Sequence, residues 1–464
     1  MKYSGKYFSV PATQNRLNIA LMVLLTGACL VTVVALSRPL IAIAVVYALV
    51  FWLVALKRPT IALLLIFATA PFQNDLSGDA TAKFSIAEIN LYLFIVLLAL
   101  LTVAHKRPLT LGPLSVPTGI YLAVSALAAL FHWRGMSTVL SLVQMFQYLV
   151  LVVLVFASGA PRLREMPSVL NGLLWACVVL AVVGTFVGVR SGSSYFWGLH
   201  KNGVGASLAC GLVIAGDRWL GETRSRPQTI LLVMMGIITT GLVFTLSRGA
   251  WMSALIGLVY VATVRRQLFR LGRVTVTLVP LFVASWFLLP SSSQEYALGF
   301  DSRRQNIADR YKSIDFARDQ FLASPVLGNG IGLRKQYDAT NLFWLTLAET
   351  GVVGLVVLLL LHIGVFQMLN KTRRFVAIED TRYSLLTISG GLVLGKAVHG
   401  MVDHYWSRGD TMITWAAVGM ALGVHFAVQH ERDLRRTTLQ NRDMQWEQIE
   451  GAVLPRPVYL GDKQ

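Results

Sequence analysis

The sequence predicts an all-α fold: a polytopic bundle of about 14 transmembrane helices (12–14), with one large loop on one side of the membrane. Two features of composition and one of pattern predict it. Of 464 residues, 55% are hydrophobic and only 14% are charged, against about 25% charged in a soluble domain. The mean hydropathy is +0.61. Apolar runs of spanning length recur along the chain, and a spanning helix needs about 20 mostly apolar residues to cross about 30 Å of hydrocarbon. This composition excludes an ordinary water-soluble enzyme and a disordered chain.

In order, the runs are 17–36, 39–56, 59–72, 86–104, 114–131, 139–157, 168–189, 203–216, 229–247, 249–264, 274–290, 342–368, 384–401 and 411–428. The first is long and lacks a small-residue cleavage site, so it reads as a retained span rather than a signal peptide. The runs at 59–72, 203–216 and 249–264 are short enough to be broken or re-entrant. Residues 230–264 carry one charge, Arg248. A single helix over that stretch would be about 50 Å long at 1.5 Å per residue, too long for one crossing. Ser247-Arg248-Gly249 therefore reads as a tight turn between two spans. The resulting organisation is a bundle of eleven spans over 1–290, a loop with short helices over 291–341, the last spans over 342–428, and a polar tail over 429–464 with a helix near 430–450.

The net charge of +18, from 41 Lys and Arg against 23 Asp and Glu, follows the same organisation. With both termini cytoplasmic, most basic residues fall in inside segments, as the positive-inside rule requires. Arg265, Arg266, Arg270 and Arg273 form one such cluster, and Lys371, Arg373, Arg374 and Arg382 another. Joining 229–264 into one span would place the first cluster outside. The charge is thus topological, with membrane lipids as its surroundings and no nucleic acid implied.

The exception is informative. The outside loop 291–341 is long for a connection without function, and it holds Arg303, Arg304, Arg310, Lys312, Arg318, Arg334 and Lys335. Nearby Asp and Glu residues offer surface pairing, and an anion site is the alternative, since Arg suits bidentate contact with phosphate oxygens. Asp309–Leu322 has helical periodicity, broken at Ser324-Pro325 and followed by Gly328-Asn329-Gly330-Ile331-Gly332. It predicts a loop helix, a turn and a flexible glycine segment.

Ionisable residues in or beside spans are costly and are functional candidates by default. Arg248 sits at the tight turn, where snorkelling to headgroups is the bland account. Glu349 lies about two turns inside the span that starts near Asn341, where it shares a face with Asn341 and Trp344 or forms a buried structural pair. Lys396, His399 and Asp403 form one helix stripe at i, i+3 and i+7. Asp403, His404 and Arg408 meet at the turn that follows. Tyr195, Trp197, Trp344, Tyr405 and Trp406 lie near the outer face, where they read mainly as interface anchors.

Gly390 to Gly395-Lys396 spells G-x-x-x-x-G-K, but Ala397 replaces the Ser or Thr and no strand precedes it, so the phosphate-loop reading fails on context. Cys29, Cys177 and Cys210 lie in apolar runs and read as packing residues. No metal-ligand motif occurs, so no metal or other cofactor is expected.

Three stretches carry a resemblance to the bacterial O-antigen ligase and O-antigen polymerase superfamily. Leu246-Ser247-Arg248-Gly249-Ala250-Trp251 resembles its Ser-Arg-Gly turn between spans. Arg310, the loop helix and Pro325-Val326-Leu327-Gly328-Asn329-Gly330 resemble its periplasmic-loop signature. Asn341 to Leu345, then Glu349-Thr350-Gly351 and Gly354, resemble the entry to the following span. His200-Lys201-Asn202 is similar to a fourth, weaker motif. Together they cover roughly residues 195–360.

The resemblance implies a GT-C-like membrane glycosyltransferase of the bacterial inner membrane, with a periplasmic active site. Its donor would be an undecaprenyl-diphosphate-linked glycan and its acceptor a glycan or lipid. Other polysaccharide-assembly membrane proteins are possible partners. Family ligases usually carry His before the Asn, where this chain has Thr340. That departure points to a polysaccharide polymerase, with the ligase acting on lipid A–core as the nearest rival. A transporter of lipid-linked oligosaccharide is a third reading, since Lys396 and Glu349 suit one, though no internal repeat of spans is evident.

For a polymerase, fixed Arg donors would stabilise the diphosphate leaving group without metal, and a base would take the acceptor proton. The catalytic candidates are Arg248, Arg310, Glu349 and His404. The substrate-binding candidates are Arg304, Lys201, Asn202, Asn341, Asp403, Arg408 and Lys396. The base is left open among Glu349, Asp403 and His404, with His399 and His200 as further histidines that the fold would have to bring near.

Overall fold

A computed structural model describes residues 39–72, 85–105, 109–191, 199–298, 304–337, 339–406 and 408–453. The predicted span at 17–36 lies outside them, as do Cys29, Tyr195, Trp197 and Arg303. Among the described residues the structure is helical throughout, without a strand. Helices α1 (Pro39–Lys57), α2 (Pro59–Thr69), α3 (Ile86–His105), α4 (Ser115–Phe131), α5 (Met136–Ala157) and α6 (Met166–Ser191) match the next six predicted runs. Then come α7 (Lys201–Gly221), α8 (Ser225–Phe244), α9 (Arg248–Val264) and α10 (Leu268–Phe287). The long loop holds α11 (Ser291–Leu298), α12 (Arg304–Ala323) and α13 (Leu333–Gln336). Finally α14 (Leu342–Arg373), α15 (Thr381–Gly400) and α16 (Arg408–Val453) close the chain.

Among the described residues, eight helices are long and apolar enough to cross a membrane, and Ile41–Lys57, Pro59–Thr69 and Arg248–Val264 are shorter apolar helices. The chain is therefore a multi-pass helical membrane protein. The 11 residues of α2 rise about 16 Å, roughly half of the hydrocarbon thickness. By contrast, the short run predicted at 203–216 belongs to α7, a helix of 21 residues.

The tight turn at 245–247 separates α8 from α9 as predicted. Leu246 takes a left-handed φ of 52° there, and the Thr245 hydroxyl accepts from the Ser247 amide at 3.2 Å. The loop helix α12 starts earlier than predicted, at Arg304. The predicted tail helix is continuous with the last apolar segment in α16, which runs for 46 residues.

At the centre lie α7, α9 and α15, with α16 against α15. Neither α7 nor α15 is among the eight apolar helices, yet both are almost wholly buried. Their small and polar residues face other helices, which shield them from lipid. Small residues allow that close approach. A Cβ on Gly391 would lie 3.2 Å from the Gly257 carbonyl oxygen, and one on Gly395 2.9 Å from that of Ser253. A Cβ on Gly390 would meet Tyr260 of α9, so the glycine face around the false phosphate motif is part of the α9–α15 packing surface. Cys177 and Cys210 are buried packing residues, as predicted.

The span opening at Leu342 is interrupted. Gly351 has φ 65° and ψ −166°, outside the helical region. The freed backbone groups pair with the glycine segment of the long loop. Asn329 N donates to Ala348 O at 2.7 Å and Gly330 N to Glu349 O at 3.1 Å, while Val352 N donates to Pro325 O at 2.9 Å. The α4–α5 turn holds the other side of that segment. Arg134 Nε donates to Asn329 O at 3.2 Å, and the Thr138 hydroxyl to Ile331 O at 2.9 Å. Irregular backbone inside a bundle is tolerated where protein satisfies it in this way.

A Cβ on Gly351 would fall 2.2 Å from Val326 O. Gly351→Ala therefore combines a disfavoured φ with a backbone collision. We expect it to cost at least about 2 kcal/mol. Thermal unfolding of the purified protein in detergent checks this, and an unchanged melting temperature would refute it.

Candidate functional site

One end of the bundle gathers most of the residues singled out from the sequence. The turn after α15 is its centre. Arg310 Nη1, from α12, donates to Val402 O at 2.8 Å. Asn341, which caps α14 by accepting from Trp344 N at 3.1 Å, donates through Nδ2 to Met401 O at 2.9 Å. The first turn of α9 packs on the same place: a Cβ on Gly249 would meet Val402 at 2.7 Å and His399 at 3.0 Å. Arg248, one residue earlier, is exposed. Arg310 thus reaches the Val402 turn from α12, and the backbone that carries Arg248 packs on it from α9.

His200 caps α7, its Nδ1 accepting from Asn202 N at 3.2 Å. The capping turn reaches the same end, since Gly205 packs on Thr245, Ser247 and Ala250. Burial pulls the His200 imidazole below its ordinary value, Asp403 opposes that shift, and Lys201 and His404 add to it. The same charges mark Lys201, Asp403 and His404 as its neighbours. Asp403 Oδ1 accepts from His404 N at 2.8 Å. Arg304 opens α12, and its side chain lies outside the described residues.

Beneath this exposed layer lies a buried one. Lys396 Nζ pairs with Asp410 Oδ2 at 2.6 Å, and both side chains are 2% exposed. His399 stands between two carboxylates, its Nε2 3.8 Å from Asp403 Oδ2 and its Nδ1 3.7 Å from Asp410 Oδ2. The predicted stripe of Lys396, His399 and Asp403 is thus assembled, and Asp410 from α16 completes it. Tyr405 and Trp406 are buried rather than set at an interface. The Lys396 ammonium lies 5.2 Å from the Tyr405 ring centroid, and the Arg334 guanidinium 4.8 Å from that of Trp406.

Glu349 belongs to a different unit. It forms the buried pair, one of the two arrangements open to it from the sequence, with Arg334 of the long loop as partner. Its carboxylate accepts from Gly332 N and Arg334 N at 3.1 Å each, and pairs with Arg334 Nη2 at 2.5 Å. Five donor contacts from Gly332 and Arg334 converge on this one carboxylate, which fixes the re-entrant segment. Arg408 lies 3.9 Å from Glu88 of α3. Glu88 also takes a 3.2 Å hydrogen bond from Gln147, which lies in a π-helical turn of α5.

Sequence reasoning missed the partners: Asp410 for Lys396, Arg334 for Glu349, Glu88 for Arg408. It also missed Asp217, which pairs with Arg265 at 2.7 Å at the opposite end. An acid in an apolar run was the available signal for Asp217 and Asp410. Pairing across helices leaves no spacing to read.

Among the described residues, no group of three or more His, Cys, Asp or Glu is arranged to hold a metal ion. No protein-family profile matches the chain, and no curated protein matches it in sequence.

Removing one member of the Glu349–Arg334 pair would leave an uncompensated buried charge. Glu349→Gln is expected to cost about 3–5 kcal/mol. Replacing both residues by apolar ones of similar volume should recover part of that loss. Melting temperatures of the two variants in detergent test this, and a single variant as stable as the parent would contradict it.

Proposed function

We propose that the protein is a membrane glycosyltransferase that polymerises undecaprenyl-diphosphate-linked repeat units into a surface polysaccharide. The observation that carries this reading is the arrival at the Val402 turn of the Arg310 guanidinium from α12 and of the first turn of α9, which carries Arg248, beside Asp403, His404, His200, Lys201 and Asn341. Two guanidinium groups from separate helices suit a diphosphate whose charge grows as the anomeric C–O bond breaks. Carboxylate and imidazole groups beside them suit removal of the acceptor proton. Lys201, Asn202 and Asn341 would bind substrate, while Lys396 and Arg408 would hold the frame beneath it.

The motif resemblance supports the same reading, with about 14 crossings in a GT-C-like bundle of a bacterial inner membrane. The opposite end of the bundle carries Arg218, Arg224, Arg226, Arg265, Arg266, Arg270 and Arg273. That asymmetry favours cytoplasmic placement for that end and periplasmic placement for the Arg248 end. Thr340 in place of a histidine favours a polymerase over a ligase, which would use lipid A–core as acceptor.

Arg248→Ala and Arg310→Ala should each lower turnover by about 10²–10³-fold while the protein still inserts. The assay is release of undecaprenyl diphosphate and growth of polymer in proteoliposomes. Lipid-linked repeats or lipid A–core serve as sole acceptor in parallel reactions. Normal polymer from both variants would sink the assignment. Intact lipid diphosphate with the native protein would point instead to transport.

A further inference from the structure

The buried layer under the Val402 turn contains more charge than a frame requires. Lys396 and Asp410 already satisfy one another. His399 and Asp403 are added beside them at 3% and 5% exposure. Neither ring nitrogen of His399 has a hydrogen-bond partner, although a carboxylate lies within 3.8 Å of each. An imidazolium in that place would close on one of the carboxylates. A neutral ring with its Nδ1 proton toward Asp410 and its Nε2 lone pair toward Asp403 explains the gap to Asp403, because a lone pair repels an ionised carboxylate.

The charges make this arrangement a proton acceptor. With His399 neutral, Lys396, Asp410 and Asp403 sum to −1. One added proton brings the four groups to zero, which is favourable where water is scarce. Other charged and titratable groups surround them. His200 and His404 lie on the exposed side with Lys201, Arg310 reaches the Val402 carbonyl, and Arg248 lies one residue from the Gly249 contact. The Cys210 thiol of α7 and the Tyr405 phenol lie within electrostatic reach of Lys396 or Asp410. Asp403 alone spans both layers, with Oδ1 on the His404 amide and Oδ2 toward His399.

We infer that Asp403 is the base of the transfer and that His399 is a positioning residue that takes the proton on from it. The inference rests on the glycosyltransferase reading. In the step, the acceptor hydroxyl oxygen bonds to the anomeric carbon and the bond from that carbon to the phosphate oxygen breaks. The electron pair leaves with the diphosphate. The hydroxyl proton goes to the Asp403 carboxylate, and from its Oδ2 to His399 Nε2 after a closure of less than an ångström. Asp410 holds the imidazolium at Nδ1, and Lys396 keeps Asp410 ionised and in place. The proton then returns through Asp403 to periplasmic water when the products depart.

The test uses the full-length protein in proteoliposomes, with undecaprenyl-diphosphate-linked repeat units as donor and acceptor. His399→Gln keeps polar atoms in place but cannot carry the proton. It should lower kcat by roughly 10²-fold, leave KM for the lipid-linked substrate unchanged, and flatten the acid limb of the kcat–pH profile. A profile that superimposes on the native one overturns the inference. So does a loss confined to KM. Should the variant fold poorly, the native protein offers a second measurement: kcat in mixtures of H2O and D2O. Two protons in flight give a curved dependence on deuterium fraction, and a linear one overturns the relay. Failure of the underlying reading looks different, because the native protein would then release no undecaprenyl diphosphate.

Discussion

The break in α14 is the constraint on which the site depends. A glycine in a non-helical conformation leaves carbonyls and amides without partners in a region where water is not available to serve them. The loop segment 325–332 supplies those partners, and Glu349 fastens it through Arg334. Because that segment is held, α12 before it and Asn341 after it are placed beside the turn that follows α15. Arg310 and Asn341 then use two successive carbonyls of that turn. The convergence of distant sequence motifs at one end of the bundle follows from satisfying a handful of backbone hydrogen bonds.

Charge inside the bundle obeys a second rule. Three pairs of buried ions are matched: Lys396 with Asp410, Arg334 with Glu349, Arg265 with Asp217. Desolvation makes such pairs poor sources of stability, but leaving one member alone is far worse. Their value lies in register. Lys396–Asp410 ties α15 to α16, and Arg265–Asp217 ties α7 to α9 at the opposite end, with the Ser384 hydroxyl of α15 on the same acid. With small residues setting the close packing between those helices, the central helices have little freedom to slide. The helix that carries Arg248 and the helix that leads into the Asp403 turn are therefore held by the packed centre of the bundle.

How much of this was legible varied with the physics. The split between α8 and α9 was readable because one long apolar run exceeds the thickness of a bilayer and Ser247-Arg248-Gly249 interrupts it. The stripe of Lys396, His399 and Asp403 was readable because helical periodicity is local. Glu349 was visible as an ion in a span and readable as one member of a buried pair, but its partner Arg334 lies in the loop, where helical spacing does not reach. Tyr405 and Trp406 looked like interface aromatics and are instead buried beneath cations. Nothing in spacing reveals that, because burial depends on what neighbouring helices cover.

The sequence by itself determined that the protein is helical and lives in a membrane, roughly where its helices begin and end, and which ionisable residues are out of place there. These follow from hydropathy and from the period of one helix, both local quantities. Only the tertiary structure decided which of those residues meet. It joined Gly351 to the 325–332 segment, Arg310 and Asn341 to the Val402 turn, and Asp410 to Lys396 and His399. Such pairings are set by unmet hydrogen bonds and unpaired charges finding one another across helices, and no single stretch of sequence records them.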